Sequence, residues 1–151
     1  MKNKRLSKNF LLNHFKVSSL YPEIAKRLQF TKEDELKFLL LCHLILEPLY
    51  EYLKGRYKKQ KVLIKILSGK RNYRLNQLEK ELIDNTSHVH SLACDFTILV
   101  NYQLKDEILK EAFDFIKNQL KYNFSELFLY TPMKQIHVAL RTKEEQRIEI
   151  L

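Results

Sequence analysis

Glycine, proline, cysteine and tryptophan are scarce in this chain of 151 residues, which holds two, three, two and none of them. So little Gly and Pro beside 45% hydrophobic residues excludes collagen-like, low-complexity and disordered classes. Two cysteines, Cys42 and Cys94, cannot build a disulfide framework or a cysteine zinc cluster. Cys42 lies in LLLCHLIL and Cys94 in LACDFTI, so both read as small core residues of a reducing compartment. No apolar run approaches the roughly 20 residues of a membrane helix, so no membrane insertion is expected. The start, MKNKRLSKNFLLNHF, is interrupted by Asn13 and His14 and lacks the apolar centre and cleavage site of a secretory signal. The expectation is a cytoplasmic product without its own export route. It should form one domain over residues 1–151, with 1–30 a peripheral N-terminal segment and the monomer favoured.

Acidic residues are missing where the positive charge is densest. The formal net charge is +9, and Lys54, Arg56, Lys58, Lys59, Lys61, Lys65, Lys70, Arg71 and Arg74 follow one another without an Asp or Glu between. Such a stripe suits a polyanion: nucleic acid, an anionic cell wall or an acidic protein. It equally suits a solvated strand edge, where lysines discourage pairing with another chain. No zinc-finger spacing, basic-plus-heptad region or aromatic RNA-binding signature accompanies it. A basic nucleic-acid-binding protein is therefore an alternative that charge alone supports.

Thr31 with Asp34 resembles a capping box. From there Leu36, Leu39, Leu40, His43, Leu44, Tyr50 and Leu53 recur at helical steps, with Pro48 expected to kink or shorten the helix near Leu44 and Gly55 to end it. Lys61 to Leu67 is a β-branched strand, Tyr73 to Asp84 a helix, Asn85 to Ser91 a polar segment, and Asp95 to Val100 a second strand. Leu104 to Leu120 is the clearest amphipathic helix, with Ile108, Leu109, Ala112, Phe113, Ile116 and Leu120 on one stripe. Glu126 to Tyr130 and Ile136 to Leu140 form a hairpin around Thr131-Pro132. The N-terminal 30 residues are expected as short helical turns over the core. The order ααβαβαββ makes an α+β fold, a small, mostly antiparallel sheet with helices packed on it.

Of five histidines, His43 reads as a satisfied core residue and His14 is uninformative. His88, His90 and His137 stand at strand ends, where sites are built. Asp95 opens an otherwise apolar strand, and an isolated buried carboxylate is costly without partners. Two imidazoles and one carboxylate with a fourth position open are the ligand set of a catalytic zinc site.

Four segments, in order, resemble the zinc peptidase family of D-alanyl-D-alanine carboxypeptidases, phage L-alanyl-D-glutamate endopeptidases and the hedgehog signalling domain. Leu46-Glu47-Pro48-Leu49-Tyr50 is similar to the family's LxPLR helix end. Ser68-Gly69-Lys70-Arg71 with Leu75-Asn76 resembles SGYRSxxLN. His88 to Phe96, with Ala93 and Asp95 in place, resembles HxxGxAxDF. Phe124 to Leu129 followed by Ile136-His137-Val138 resembles FDQLIxE…WVHV. The likeness covers roughly residues 9 to 147 and is nearest to short phage and bacterial, endolysin-like members. It implies a hedgehog-type fold, a hydrolase of peptidoglycan stem peptides, zinc ligands His88, Asp95 and His137, and Arg71 on substrate and developing charge, with Ser68 and Tyr130 lining the substrate site. Without an export signal, such an enzyme reaches the cell wall on release from the cell. Three positions depart from the pattern: Ser91 replaces a glycine, Gln135 a tryptophan, and Tyr130 the catalytic glutamate. Glu126, earlier on the same strand face, is then the candidate base if the register shifts; His90 is a second candidate, and Lys134, where some relatives carry the glutamate, is not an acid. The same departures leave open a catalytically impaired member serving as a binding or structural module.

Overall fold

The computed structural model of the chain describes residues 3–71 and 92–151. The expected helix over Tyr73 to Asp84 and the polar segment Asn85 to Ser91, with His88, His90 and Ser91, lie outside the described residues.

A 3-10 turn, Leu12–Phe15, and a short helix α1, Pro22–Lys26, precede helix α2, Lys32–Leu41. The capping box that starts α2 is present in both directions. The Asp34 backbone N–H donates to Thr31 Oγ1 at 3.1 Å, and the Thr31 N–H donates to Asp34 Oδ2 at 2.8 Å. A π-turn, Cys42–Leu46, carries α2 into α3, Glu47–Arg56. The disturbance expected near Leu44 takes the form of this π-turn, and the helix continues past Pro48 to Arg56. Lacking an N–H, Pro48 leaves the Leu44 carbonyl without its helical donor, and the Asn123 side chain donates to that carbonyl at 2.9 Å. The wider π-turn just before Pro48 gives the ring room. Gly55 lies inside the last turn of α3, and Tyr57 caps it.

The buried stripe of this helix overlaps the expected one at Leu53, with Leu39 and Tyr50 half-buried against the core, and otherwise differs from it. Leu36 (56% exposed), Leu40, His43 and Leu44 face outward, while Phe38, Leu41, Cys42, Ile45, Leu46, Leu49 and Leu53 are buried. Leucines occur at both phases, so spacing alone could not choose. The bulkier Phe38, stacked on Phe15 at 4.6 Å, sits on the winning one. His43 is accordingly an exposed residue against the Leu6 carbonyl, at 3.1 Å, rather than a core histidine. Both cysteines are buried and unbridged. Burial pushes the Cys42 thiol up to about 12 and the Cys94 thiol well above its ordinary range.

Five strands among the described residues form one sheet: β1 Val62–Ser68, β2 Ala93–Val100, β3 Phe124–Tyr130, β4 Gln135–Leu140 and β5 Arg147–Ile150. Their spatial order is β1-β2-β4-β3-β5, antiparallel except for the parallel pair β3 and β5. The architecture is thus α+β with a mixed, mostly antiparallel sheet. Helix α4, Asp106–Gln119, buries Ile108, Leu109, Ala112, Phe113 and Ile116, all on the expected stripe. Its Phe115 ring stacks on Tyr52 of α3 at 4.3 Å. One face of the sheet supplies Ile64, Ile66, Cys94, Phe96, Ile98, Leu127, Leu129, Ile136 and Val138 to the core shared with the helices. Since side chains alternate along a strand, the residues between them point to the other face. No described helix is long and apolar enough to cross a membrane.

Candidate functional site

The second face of the sheet carries the charge. Register aligns Ser68 of β1 with Asp95 of β2, Asp95 with His137 of β4, His137 with Phe128 of β3, and Phe128 with Glu149 of β5. One transverse row therefore crosses all five strands. Ser68 joins it through a β-bulge at Leu67, which turns the strand end over by one residue.

Arg71, three residues beyond β1, reaches back into the row. Its Nη2 donates to Asp95 Oδ2 at 3.2 Å and its Nε to Ser68 Oγ at 3.3 Å. The second oxygen of Asp95, Oδ1, is 2.8 Å from His137 Nδ1. All four side chains are buried. Burying the Asp95 carboxylate is tolerable because a guanidinium holds one oxygen and an imidazole meets the other. The close turn that brings Arg71 round depends on Gly69. A Cβ there would lie 2.6 Å from the Phe15 Cα and closer still to the Phe15 carbonyl oxygen, and the Lys70 N–H donates to that oxygen at 3.1 Å. Lys70 turns the other way, to Asp34 and the Gln29 carbonyl.

On its far side the His137 ring stacks against Phe128, with centroids 5.1 Å apart and planes 15° from parallel. Arg147 of β5 lies 5.0 Å over the Phe128 ring. His137 Nε2 faces β3, where Glu126 Oε2 is 4.0 Å away. Asp95 thus stands between Ser68 and His137, and the Ser68 hydroxyl is taken by Arg71. A serine nucleophile activated by this histidine does not fit that order.

Tyr130 lies on the same face, four residues along β3 from Glu126, about 13 Å at the rise of a strand. Burial raises its hydroxyl pKa, and the Asp95, Glu126 and Glu149 carboxylates raise it further. Lys134 belongs to the β3–β4 turn, where its ammonium pairs with Asp106 at 2.6 and 2.8 Å, and it takes no part in the row.

Of the sequence-derived site residues, Ser68, Arg71, Asp95 and His137 meet in one chain of contacts, Glu126 joins through the other ring nitrogen of His137, and His88 lies outside the described residues. One imidazole nitrogen and one carboxylate oxygen converge, which are two of the three protein donors of the expected zinc site. Their 2.8 Å separation is hydrogen-bond length and opens by only a few tenths of an ångström to span a metal with bonds of about 2.0–2.2 Å. Among the described residues, no three His, Cys, Asp or Glu side chains are grouped to hold a metal. Phe128, Arg147 and Glu149 were not anticipated. The signal for Arg147 and Glu149 was the alternation Arg147-Ile148-Glu149-Ile150, four residues long.

Compared with family models, with curated proteins and with solved structures, the chain matches none.

Proposed function

We propose that the chain is a zinc-dependent peptidase of peptidoglycan stem peptides, of the D-Ala-D-Ala carboxypeptidase or L-Ala-D-Glu endopeptidase type, with a hedgehog-type fold. The observation that carries this reading is the buried Arg71–Asp95–His137 chain at the ends of neighbouring strands. These are the residues on which three of the four family-like segments converge. Asp95 Oδ1 and His137 Nδ1 would hold the zinc, with His88 as third ligand. A bound zinc ion would polarise the scissile carbonyl and acidify a water. Arg71 orients the Asp95 carboxylate, and its guanidinium is a fixed positive charge for a substrate carboxylate or the developing oxyanion. Ser68 orients that guanidinium. Tyr130, held protonated, would donate a hydrogen bond to substrate and accept no proton at neutral pH. Glu126, whose Oε2 lies 4.0 Å from His137 Nε2, is the base this reading assigns, with His90 the second candidate. The chain would act on the wall once outside the cell.

One observation favours a second reading, a member that binds metal and wall peptide without turnover: Tyr130, with its raised pKa, stands where the family carries its glutamate. Zinc analysis and digestion of purified stem peptides by wild type, His137→Ala and Tyr130→Glu separate the two. Digestion by wild type and its loss in His137→Ala support the peptidase. Zinc without digestion in wild type, and a gain of ~100-fold or more in Tyr130→Glu, the scale of a positioned acid–base group, supports the impaired module. Absence of zinc from wild type overturns both.

A further inference from the structure

We propose that β5 is an interaction surface for a second copy of this chain, joined antiparallel, edge to edge, about a twofold axis at Ile148. β5 closes one side of the sheet, and among the described residues no strand pairs with its outer side. The Leu151 N–H donates to the Leu129 carbonyl at 2.8 Å, and the Leu151 carbonyl accepts from the Thr131 N–H at 2.9 Å. Main-chain groups of successive strand residues point to opposite sides. Arg147, Glu149 and Leu151 therefore turn theirs to β3, and Ile148 and Ile150 turn theirs outward. The side chains of these two pair with Leu127 and Leu129 and so continue the core face of the sheet, yet they are 37% and 54% exposed. An apolar edge with outward donors and acceptors is a template for another strand.

Charge selects the occupant and the register. Antiparallel pairing of two such edges sets outward residues opposite each other. With Ile148 opposite the copy's Ile148, Arg147 falls opposite the copy's Glu149 and Glu149 opposite its Arg147, two cross-strand pairs of opposite charge. With Ile148 opposite the copy's Ile150, Glu149 falls opposite Glu149, which is destabilising. With Ile150 opposite Ile150, Glu149 falls opposite Leu151. Within one chain Arg147 and Glu149 already stand 3.3 Å apart, so the first register closes a ring of four alternating charges. The opposite edge of the sheet answers differently. β1 exposes Leu63 between Lys61 and Lys65, and pairing about Leu63 sets lysine opposite lysine, the kind of charge that keeps an edge unpaired. Four residues a side bury less than the ~1,200 Å² of standard interfaces, so the dimer is weak, with a dissociation constant on the order of 10–1000 µM.

Sedimentation equilibrium of the full chain at about 0.01–1 mM reads the association. Salt of about 0.1 M, with its ~10 Å screening length, damps repulsion between chains of net charge +9 and leaves adjacent pairs intact. Wild type should dimerise in this range. Arg147→Glu and Glu149→Arg should each weaken the dimer ~10-fold or more by setting like charges opposite, although the first lowers the overall charge and the second raises it. Mixed one to one, the two variants should regain wild-type affinity as a heterodimer, because each Glu then meets an Arg. The chain carrying both substitutions should dimerise by itself. A cross-link reads the register independently of charge. Ile148→Cys, ~5.5 Å from its own copy between Cα atoms, should form an intermolecular disulfide under mild oxidation. Glu149→Cys should not, and the two native cysteines are buried. Monomeric wild type at ~1 mM overturns the proposal and leaves the edge to a different partner. Single variants that dimerise as wild type does overturn it equally, as does a mixture that stays monomeric, or cross-linking through Glu149→Cys in place of Ile148→Cys.

Discussion

Neighbouring residues of β2 show how differently the two faces of the sheet are held. Cys94 and Phe96 point into the helix-covered core, where stability comes from apolar area removed from water and from close packing. Asp95, between them, points to the other face, where Arg71 and His137 meet its buried carboxylate. The first face is sensitive to lost volume and to any buried charge. The second is sensitive to charge balance as well. A fold spends stability on buried ion pairs only weakly compensated by their attraction, so the charged row is where function is to be sought.

The comparison breaks most visibly at its two central residues. Phe96→Ala should lower stability by about 3–5 kcal/mol through a cavity, as seen in denaturant unfolding with an unchanged slope. Asp95→Ala should cost a similar ~3–5 kcal/mol in metal-free protein, by stranding the Arg71 guanidinium. The causes separate on repair. Arg71→Met added to Asp95→Leu should restore the metal-free protein to within about 1 kcal/mol of wild type or beyond it, while abolishing zinc uptake; no polar-to-apolar change repairs Phe96→Ala.

A smaller effect is expected at the turn that feeds Arg71 into the row. Gly69→Ala drives a methyl into the Phe15 backbone and should cost about 1–3 kcal/mol, with a loss of zinc affinity that a distant variant of equal stability does not show.

The smallest effect concerns Glu111, which ties α3 to α4 far from the row. Desolvation pushes its pKa up, but donors from Tyr57, Arg56 and Tyr52 outweigh it and hold the carboxyl below its ordinary value. A carboxyl depressed in the folded state stabilises fully above its unfolded pKa, about 4.3, and loses that contribution as pH falls through the folded value. Wild type should therefore lose stability below about pH 4.5 more steeply than Glu111→Gln. Parallel acid limbs would contradict this.

The elements with strong periodicity were legible in the sequence. The stripe of α4 stands as read, and β1, β2 and the β3–β4 hairpin lie within two residues of their expected ends. The start of α2 was legible because Thr31 and Asp34 satisfy each other locally. Tertiary choices were not. Nothing local told which leucine stripe of α2 and α3 faces the core, nor that Asn123, distant in sequence, would take the carbonyl Pro48 leaves free. β5 was missed because four half-exposed residues pair in parallel with a distant strand. For the site, residue types pointed to Asp95 and His137, and the family resemblance to Arg71. What the sequence could not supply was direction: which imidazole nitrogen faces which carboxylate.

The central claim is that the charged face is a zinc site built on Asp95 and His137. Its most direct test is metal content and zinc affinity of the full chain purified without chelator, beside Asp95→Asn and His137→Ala. The account predicts one zinc per wild-type chain and its loss in both variants. Wild-type protein without zinc, or variants that bind it as tightly, would contradict it.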